Sequence, residues 1–385
     1  VTAIRIVHNP QQQPGPQEPV GVDMWALVPT LGLVALGVAM VFSASFPLAA
    51  ARESEDVFYY LKRQVGFVVV GIPAMWWASR LSLSALRRRA GLLAIATVLL
   101  LGAVLVFGRE VSGARRWFAM PGVGLNFQPS ELAKLTLVIA AARWLARFPR
   151  GVPTWRAAVP PLALLGLVAG LIAVQPDLGT ASVIAAAALV FYHIGGLKLR
   201  HIAAAGGAGL SLAAVVVWRH PYQLQRILDF LAGDKVALEG GYQRARSLIA
   251  LGSGGVTGRG YGGSIDKYFY LPAATTDSIL VVVGEELGLV ATWAVVLAFS
   301  LLVVRGMMIA GRARDRFSGL VAAGVTCVLG VQALVHIAVA TGSVPATGLP
   351  LPFVSYGGSS LICSLIGVGL ILNVSRGARR VRAPT

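Results

Sequence analysis

Ten apolar runs, at about 24–46, 64–79, 91–107, 131–146, 158–174, 180–195, 203–217, 278–303, 318–340 and 356–373, leave this chain few ways to fold. A hydrocarbon layer takes roughly 20 apolar helical residues to cross. The shorter runs reach that length by extending into their polar flanks. Of the 385 residues 56% are hydrophobic and only 13% charged, with a mean hydropathy of +0.74. A soluble domain carries about 25% charged residues, so this surface is too apolar to face water alone. The expected fold is all-α: a polytopic integral membrane protein of about ten transmembrane helices with a long structured extracytoplasmic loop.

The net charge of +17 is not a nucleic-acid footprint, because the basic residues cluster in short segments between apolar runs. That is the pattern of the positive-inside rule. With the N-terminus inside, the inner segments hold Arg5; Arg80, Arg87, Arg88 and Arg89; Arg143, Arg147, Arg150 and Arg156; Lys198 and Arg200; Arg305, Arg312, Arg314 and Arg316; and Arg376, Arg379, Arg380 and Arg382. Against these stand only the acids Glu18, Asp23 and Asp315. Both termini are therefore expected in the cytoplasm.

Residues 1–22, rich in Gln and Pro, read as a disordered cytoplasmic tail without the apolar core of a signal peptide. Residues 23–375 form the transmembrane domain, with a long outer loop at about 218–276, and 376–385 a basic cytoplasmic tail. Cys327 and Cys363 lie in apolar runs without metal-ligand spacing and read as packing residues. GSGG at 252–255 follows no strand, so nucleotide binding is not supported.

Four helices begin at the outer face, and each follows a polar string: FQPSELAK (127–134), VQPDLGTAS (174–182), LPAATTDS (271–278) and LPFVSYGGSS (351–360). Ser130, Asp177, Thr276 and Ser355 are ordinary N-cap types, so each string alone reads equally well as a cap. Together, four helix N-termini around one vestibule offer partial positive charge and free N–H groups to an anion such as diphosphate. The outer loops add Arg109, Arg115, Arg116, Arg219, Arg226, Arg244, Arg246, Arg259 and Lys267. Glu131 and Lys134, three apart on one helix, are placed to pair. Asp277 stands at a helix start where water and a headgroup both reach. Glu285 and Glu286 lie about 12 Å deeper by helical rise, where holding helices together suits them better than touching a sugar. His336, mid-helix, reads as a core histidine.

In their order these strings, with GYQRARSLIALGSGG and VVVGEELG, resemble the SEDS family (FtsW, RodA, SpoVE) over about residues 23–375. The resemblance implies a peptidoglycan glycosyltransferase of the bacterial cytoplasmic membrane that polymerises lipid II, for division or cell shape. It implies Asp277 as the catalytic residue, functional roles for Glu131 and Lys134, and a matching basic pair in Arg115 and Arg116. Asp177, Lys267, Ser355, Gly357 and Gly358 join these as candidate substrate-binding residues, with Glu285 and Glu286 as structural acids inside the membrane. Ser278, Thr275, Ala273 and His336 stand where the family more often has Phe, His, Glu and Asn, which leaves the fine substrate contacts open. No ligand spacing demonstrates a metal, and a divalent cation (Mg or Mn) stays open as an aid to the leaving group. The implied partners are a class B penicillin-binding protein and divisome or elongasome proteins. No SxxK accompanied by SxN, and no KTG, is present, so cross-linking must come from another chain. A single-pass partner needs a groove of small residues, for which 318–340 with Ala322, Ala323, Gly324 and Gly330 is the candidate. A lipid II flippase is the rival reading, with Asp177, Glu285 and Glu286 along a path. The inverted repeats expected of many transporters are not evident.

Single cysteines placed across 218–276 are expected to react with a membrane-impermeant thiol reagent in intact cells. Labelling only after permeabilisation would reverse the topology.

Overall fold

Each apolar run is the body of a helix. These are α1 (Met24–Ala50), α2 (Tyr59–Ala78), α3 (Leu83–Phe107), α4 (Pro129–Leu145), α5 (Trp155–Val174), α6 (Leu178–Ile194) and α7 (Leu199–Arg219), followed by α9 (Ile279–Gly311), α10 (Arg316–Ala340) and α11 (Gly358–Arg376). An eleventh helix, α8 (Glu239–Gly254), lies in the long loop before α9. The computed structural model describes residues 21–50, 56–111, 113–120, 125–219, 239–268 and 270–377, with five residues between 224 and 230. The tail up to residue 20, Arg226, and the basic residues Arg379, Arg380 and Arg382 lie outside the described residues.

Seven of the helices, α1, α3, α5, α7, α9, α10 and α11, are long and apolar enough to cross a membrane. Interleaved with them are α2, α4 and α6, which are more polar or only 17 residues long. Together they make the expected bundle of ten. The basic connections gather at one end. There Arg143 Nη1 donates to the Arg88 carbonyl, Arg316 donates to Pro149 and Gly195, and Arg305 pairs with Asp23 at 2.6 Å. Arg80 lies 3.8 Å from the Trp76 ring centroid, and Trp76 and Trp77 are exposed, as in an interfacial aromatic belt.

The opposite end carries the polar strings and one element that departs from the all-α expectation. The 108–130 connection folds as an antiparallel sheet, β1 (Arg109–Val111), β2 (Ala114–Met120) and β3 (Leu125–Phe127), in the order β1-β2-β3. Strands of three residues carry too little alternation to be read from sequence.

α10 is not a groove for a partner. It is a central helix, buried along most of its length and packed on α4, α6, α9 and α11. A Cβ at Gly330 would stand 2.8 Å from Val303 of α9, and one at Gly324 2.5 Å from Val138 of α4. Its small residues let helices of this same chain approach closely.

α9 breaks at Gly288, where φ is 75° and ψ −171°, a conformation essentially reserved to glycine. The break frees carbonyls above it and N–H groups below it, and the glycine-rich loop after α8 takes up both. Arg259 N and Gly260 N donate to the carbonyls of Glu285 and Glu286 at 3.0 and 2.9 Å. Leu289 N and Val290 N donate to the carbonyls of Gly255 and Val256 at 3.0 and 3.3 Å. The approach leaves no room for side chains: a Cβ on Gly258 would stand 2.2 Å from the Glu286 oxygen, and one on Gly288 2.4 Å from Gly258 N. The loop therefore returns into the bundle to the depth of the two glutamates.

Gly288→Ala is expected to cost at least about 1–3 kcal/mol from backbone strain alone. A drop in the melting temperature of the purified protein would show it, while Gly252→Ala, with nothing within 4 Å, is expected to melt like the parent.

Candidate functional site

Asp277 stands two residues before α9, at the end of a tight turn. The carbonyl of Ala273 accepts hydrogen bonds from the N–H groups of Thr276, Asp277 and Ser278 at 3.0–3.2 Å. Ala273 itself has a φ of 49°, an uncommon conformation for a residue with a Cβ. The turn is clamped by the 351–360 string. Ser355 Oγ accepts from Leu351 N at 2.8 Å and donates to the Thr276 carbonyl at 2.6 Å. Tyr356 N donates to the Thr275 carbonyl at 2.9 Å. Burial pushes the Tyr356 phenol above its usual range, against the opposing influence of Arg63, so it stays neutral at pH 7.

Asp277 is half-buried and lines a cleft of about 430 Å³. The other walls are Gln243, Arg244 and Ser247 of α8, Val281 of α9, the end of α10, and the segment Val344–Ala346. Gly348, with φ 72°, lies so close that a Cβ there would be 3.7 Å from Asp277 Oδ2.

Segment 344–350 continues this wall. At its far end Gln332 Nε2 donates to the Pro350 carbonyl at 2.8 Å, and His336 Nδ1 meets the Leu349 carbonyl at 2.9 Å. Gln332 Oε1 in turn accepts from Lys134 Nζ at 2.7 Å, and Lys134 pairs with Glu131 at 2.8 Å. Glu131, Lys134 and Gln332 line a second cavity with Cys363 and Ser364. The two acid-bearing cavities are thus linked through this segment and Gln332, which bonds the Pro350 carbonyl and lines the second cavity.

The four helix N-termini do gather. α6 reaches this segment, where a Cβ on Gly179 would strike the Thr347 carbonyl at 2.1 Å. α4 and α11 are joined through Ser359 Oγ, which accepts from Gln128 N and donates to the Asn126 carbonyl, both at 3.1 Å. Of the four cap residues anticipated, only Asp177 caps its helix, accepting from Thr180 N at 3.1 Å. Ser130 lies inside the first turn of α4, and the caps of α9 and α11 are Ser278 and Gly357. None of α4, α9 and α11 has a side-chain cap bond; α4 opens on Pro129, which has no N–H, and Glu131 N donates to the Gln128 carbonyl at 3.2 Å.

The remaining sequence candidates are placed as follows. Arg116 donates to the carbonyls of Gln175 and Pro176 and approaches Asp177 at 3.8 Å, locking β2 onto the start of α6. Arg115 is exposed and pairs with Glu110 at 3.4 Å. Gly358 packs against α2, where a Cβ would meet the Phe67 ring at 2.4 Å. Lys267 lies away from the vestibule. It is buried against Glu286 at 2.7 Å, with Ser43 Oγ and the Gly262 carbonyl as further acceptors. The sequence put it in an outer loop because the return of that loop into the bundle leaves no mark in the hydropathy. Glu285 accepts from Ser264 Oγ and Ile265 N at 2.5 and 2.9 Å, and Glu286 from Ser43 Oγ and Gly262 N at 2.7 and 3.0 Å. Both acids tie the returning loop, and through Ser43 also α1, to the upper half of α9. Gln332 was missed by the sequence reading; a polar amide in an apolar helix one turn before His336 was the available signal.

Among the described residues no group of three or more His, Cys, Asp or Glu gathers to hold a metal ion.

A family model described as "Cell cycle protein", covering FtsW, RodA and SpoVE, matches residues 24–380. The chain belongs to the FtsW/RodA/SpoVE family. It is 37% identical to the probable peptidoglycan glycosyltransferase FtsW of Halomonas elongata, over 94% of this chain and 93% of that protein. Stage V sporulation protein E of Bacillus subtilis is also 37% identical, over 93% of this chain and 98% of its own. Among solved structures, a chain from a peptidoglycan synthase complex that coordinates polymerization and crosslinking superposes with a TM-score of 0.75 at 33% identity, covering 92% of this chain and 98% of that one. The rod shape determining protein RodA of Thermus thermophilus gives 0.67 at 32% identity, covering 94% and 98%. The family's ten-helix membrane architecture is the fold described above.

In this FtsW/RodA/SpoVE chain, Glu131→Ala would leave Lys134 buried with one acceptor fewer, a loss of roughly 3–5 kcal/mol. The swap Glu131→Lys with Lys134→Glu is expected to remain impaired, because a carboxylate at 134 would face Gln332 Oε1 while its Nε2 is held by Pro350. Parental melting temperature and activity in the swapped protein would show instead that only the pairing matters.

Proposed function

We propose that this chain is a peptidoglycan glycosyltransferase that polymerises lipid II at the outer face of the bacterial cytoplasmic membrane, in division or cell-shape maintenance. The observation that carries the reading is Asp277: a half-buried carboxylate lining a cleft, on a turn clamped from three sides. A base held rigidly at the mouth of an apolar cleft suits proton abstraction from a sugar hydroxyl. The names of the relatives, a glycosyltransferase and a polymerizing synthase complex, agree with it.

The 4-hydroxyl oxygen of the acceptor's terminal sugar attacks the donor's anomeric carbon, and its proton passes to an Asp277 oxygen. The bond from that carbon to the phosphate oxygen breaks, and the electron pair leaves with polyprenyl diphosphate. The uncapped starts of α4, α9 and α11 supply oriented N–H dipoles around the vestibule for the growing negative charge. Lys134, paired with Glu131, holds Gln332 and through it the segment behind Asp277. The flippase reading needs open acids along a path; Glu285 and Glu286 are instead fully engaged by the returning loop.

The basic end is assigned to the cytoplasm, with both termini there, on the positive-inside rule. The glycan so formed needs a transpeptidase, and a class B penicillin-binding protein with a single transmembrane helix is the proposed partner, alongside divisome or elongasome proteins.

With lipid II as sole substrate, the purified protein is expected to form glycan chains. Asp277→Asn is expected to lower the rate by roughly 10²–10⁴-fold, with melting unchanged because the turn is held by backbone bonds. Parental yield from that variant would remove Asp277 as the base.

A further inference from the structure

The cleft beside Asp277 contains a second charge that the proposed chemistry has not used. Arg244 projects from α8 into the same cleft. Its placement is built rather than incidental. Gly342, at φ 66°, lies against the Arg244 stem so closely that a Cβ there would stand 3.1 Å from Cγ and Nε. Its guanidinium carbon lies 5.2 Å from the centroid of the Phe230 ring, and Nη1 points toward the Phe230 carbonyl at a long 3.4 Å. Nε is buried without a hydrogen-bond partner. Among the described residues Arg244 forms no ion pair, whereas its neighbour Arg246 approaches Asp266 at 3.5 Å and packs on the Tyr270 ring. A half-buried guanidinium with no counter-charge among the described residues is costly to keep unless a ligand supplies one.

The chemistry of the ligand follows from the walls. One side of the cleft is apolar, formed by Val281, Val339 and Val344. The polar side offers the Arg244 fork with the hydroxyl of Ser247, while the Ser278 hydroxyl is spent on the Pro272 carbonyl. A planar fork of N–H donors matches the oxygens of a phosphate pair better than any single hydroxyl. Displacement at a sugar carbon also requires the base and the leaving group on different sides of that carbon. Asp277 at the head of α9 and Arg244 on α8 are carried by different elements around one space.

We infer that Arg244 binds the diphosphate of the donor substrate and stabilises the charge that builds on it as the glycosidic phosphate bond breaks. The inference rests on the glycosyltransferase reading and adds to it the residue that grips the leaving group.

The test uses the full-length protein in detergent or liposomes, with lipid II as substrate and inorganic pyrophosphate as a probe of the anion subsite. Arg244→Met keeps the stem that lies across Gly342 and removes the charge; Arg244→Lys keeps a charge without the fork. Arg244→Met is expected to lower kcat/KM by roughly 10²-fold, as for loss of one donor to a developing anion. It is also expected to raise the inhibition constant for pyrophosphate about tenfold or more, with Arg244→Lys in between. Unchanged pyrophosphate inhibition in both variants overturns the inference, even where activity falls, because a merely structural arginine alters the active fraction and not the affinity for the probe. If Arg244→Met fails to fold, Arg244→Lys decides alone by the same inhibition constant. Full activity of Asp277→Asn would sink the parent reading and leave the pyrophosphate result to stand on its own.

Discussion

A helix inside a bilayer can be interrupted only where other groups of the protein take over its freed hydrogen bonds. In this chain the interruption is Gly288, and the groups that take over are four backbone units of the loop after α8. The upper half of α9 is thereby uncoupled in direction from the long lipid-facing lower half. It is fixed instead by the loop, by Lys267 and, through Ser43, by α1. Asp277 sits at the head of that upper half, on a turn held by Ser355 and Tyr356 of the segment opposite. The glutamates are buried charges, and buried charges are tolerated when paired and hydrogen-bonded. Glu286 has a lysine, a hydroxyl and a backbone N–H, which meets that condition.

Much of the architecture was legible in the sequence because the controlling quantity, apolar length, is local. Ten runs gave ten helices, and clustered arginines marked the end where the short connections gather. The depth of Glu285 and Glu286 followed from helical rise alone. Their partners did not, since Ser43 is 243 residues away in the chain. Lys267 was misplaced for the same reason: a loop that re-enters the bundle looks polar and glycine-rich whether it lies on the surface or inside. The glycines at 254, 255 and 258 were visible, but a nucleotide site was the only use for them that a motif suggested. Their role became clear only beside the break at Gly288.

The polar strings before the helices show a second limit. Ser82, Thr154 and Asp315 cap their helices at the other end of the bundle, yet of the four outer candidates Asp177 alone acts as a cap. Ser355 is drawn instead to the turn that carries Asp277, and Gln128 N to Ser359 of another helix. Helix ends that face a common vestibule bond across to one another in preference to themselves. α10 shows the converse: its small residues suggested a surface for another protein and serve the interior. Small side chains signal close approach without saying whose helix approaches.

The 344–350 segment lines the Asp277 cleft at one end and, at Pro350, holds the Gln332 amide that lines the Glu131–Lys134 cavity. Such a segment cannot move for one chamber only. A molecule that presses on Val344–Ala346 also shifts the carbonyls of Leu349 and Pro350, and with them the amide of Gln332 that holds Lys134. Coupling between sites is reciprocal, so any ligand of the first chamber that favoured one placement of this segment would be felt in the second by the same factor. For an enzyme that must hold a growing polymer and admit a fresh monomer in turn, the segment 344–350 is the connection along which such alternation would run.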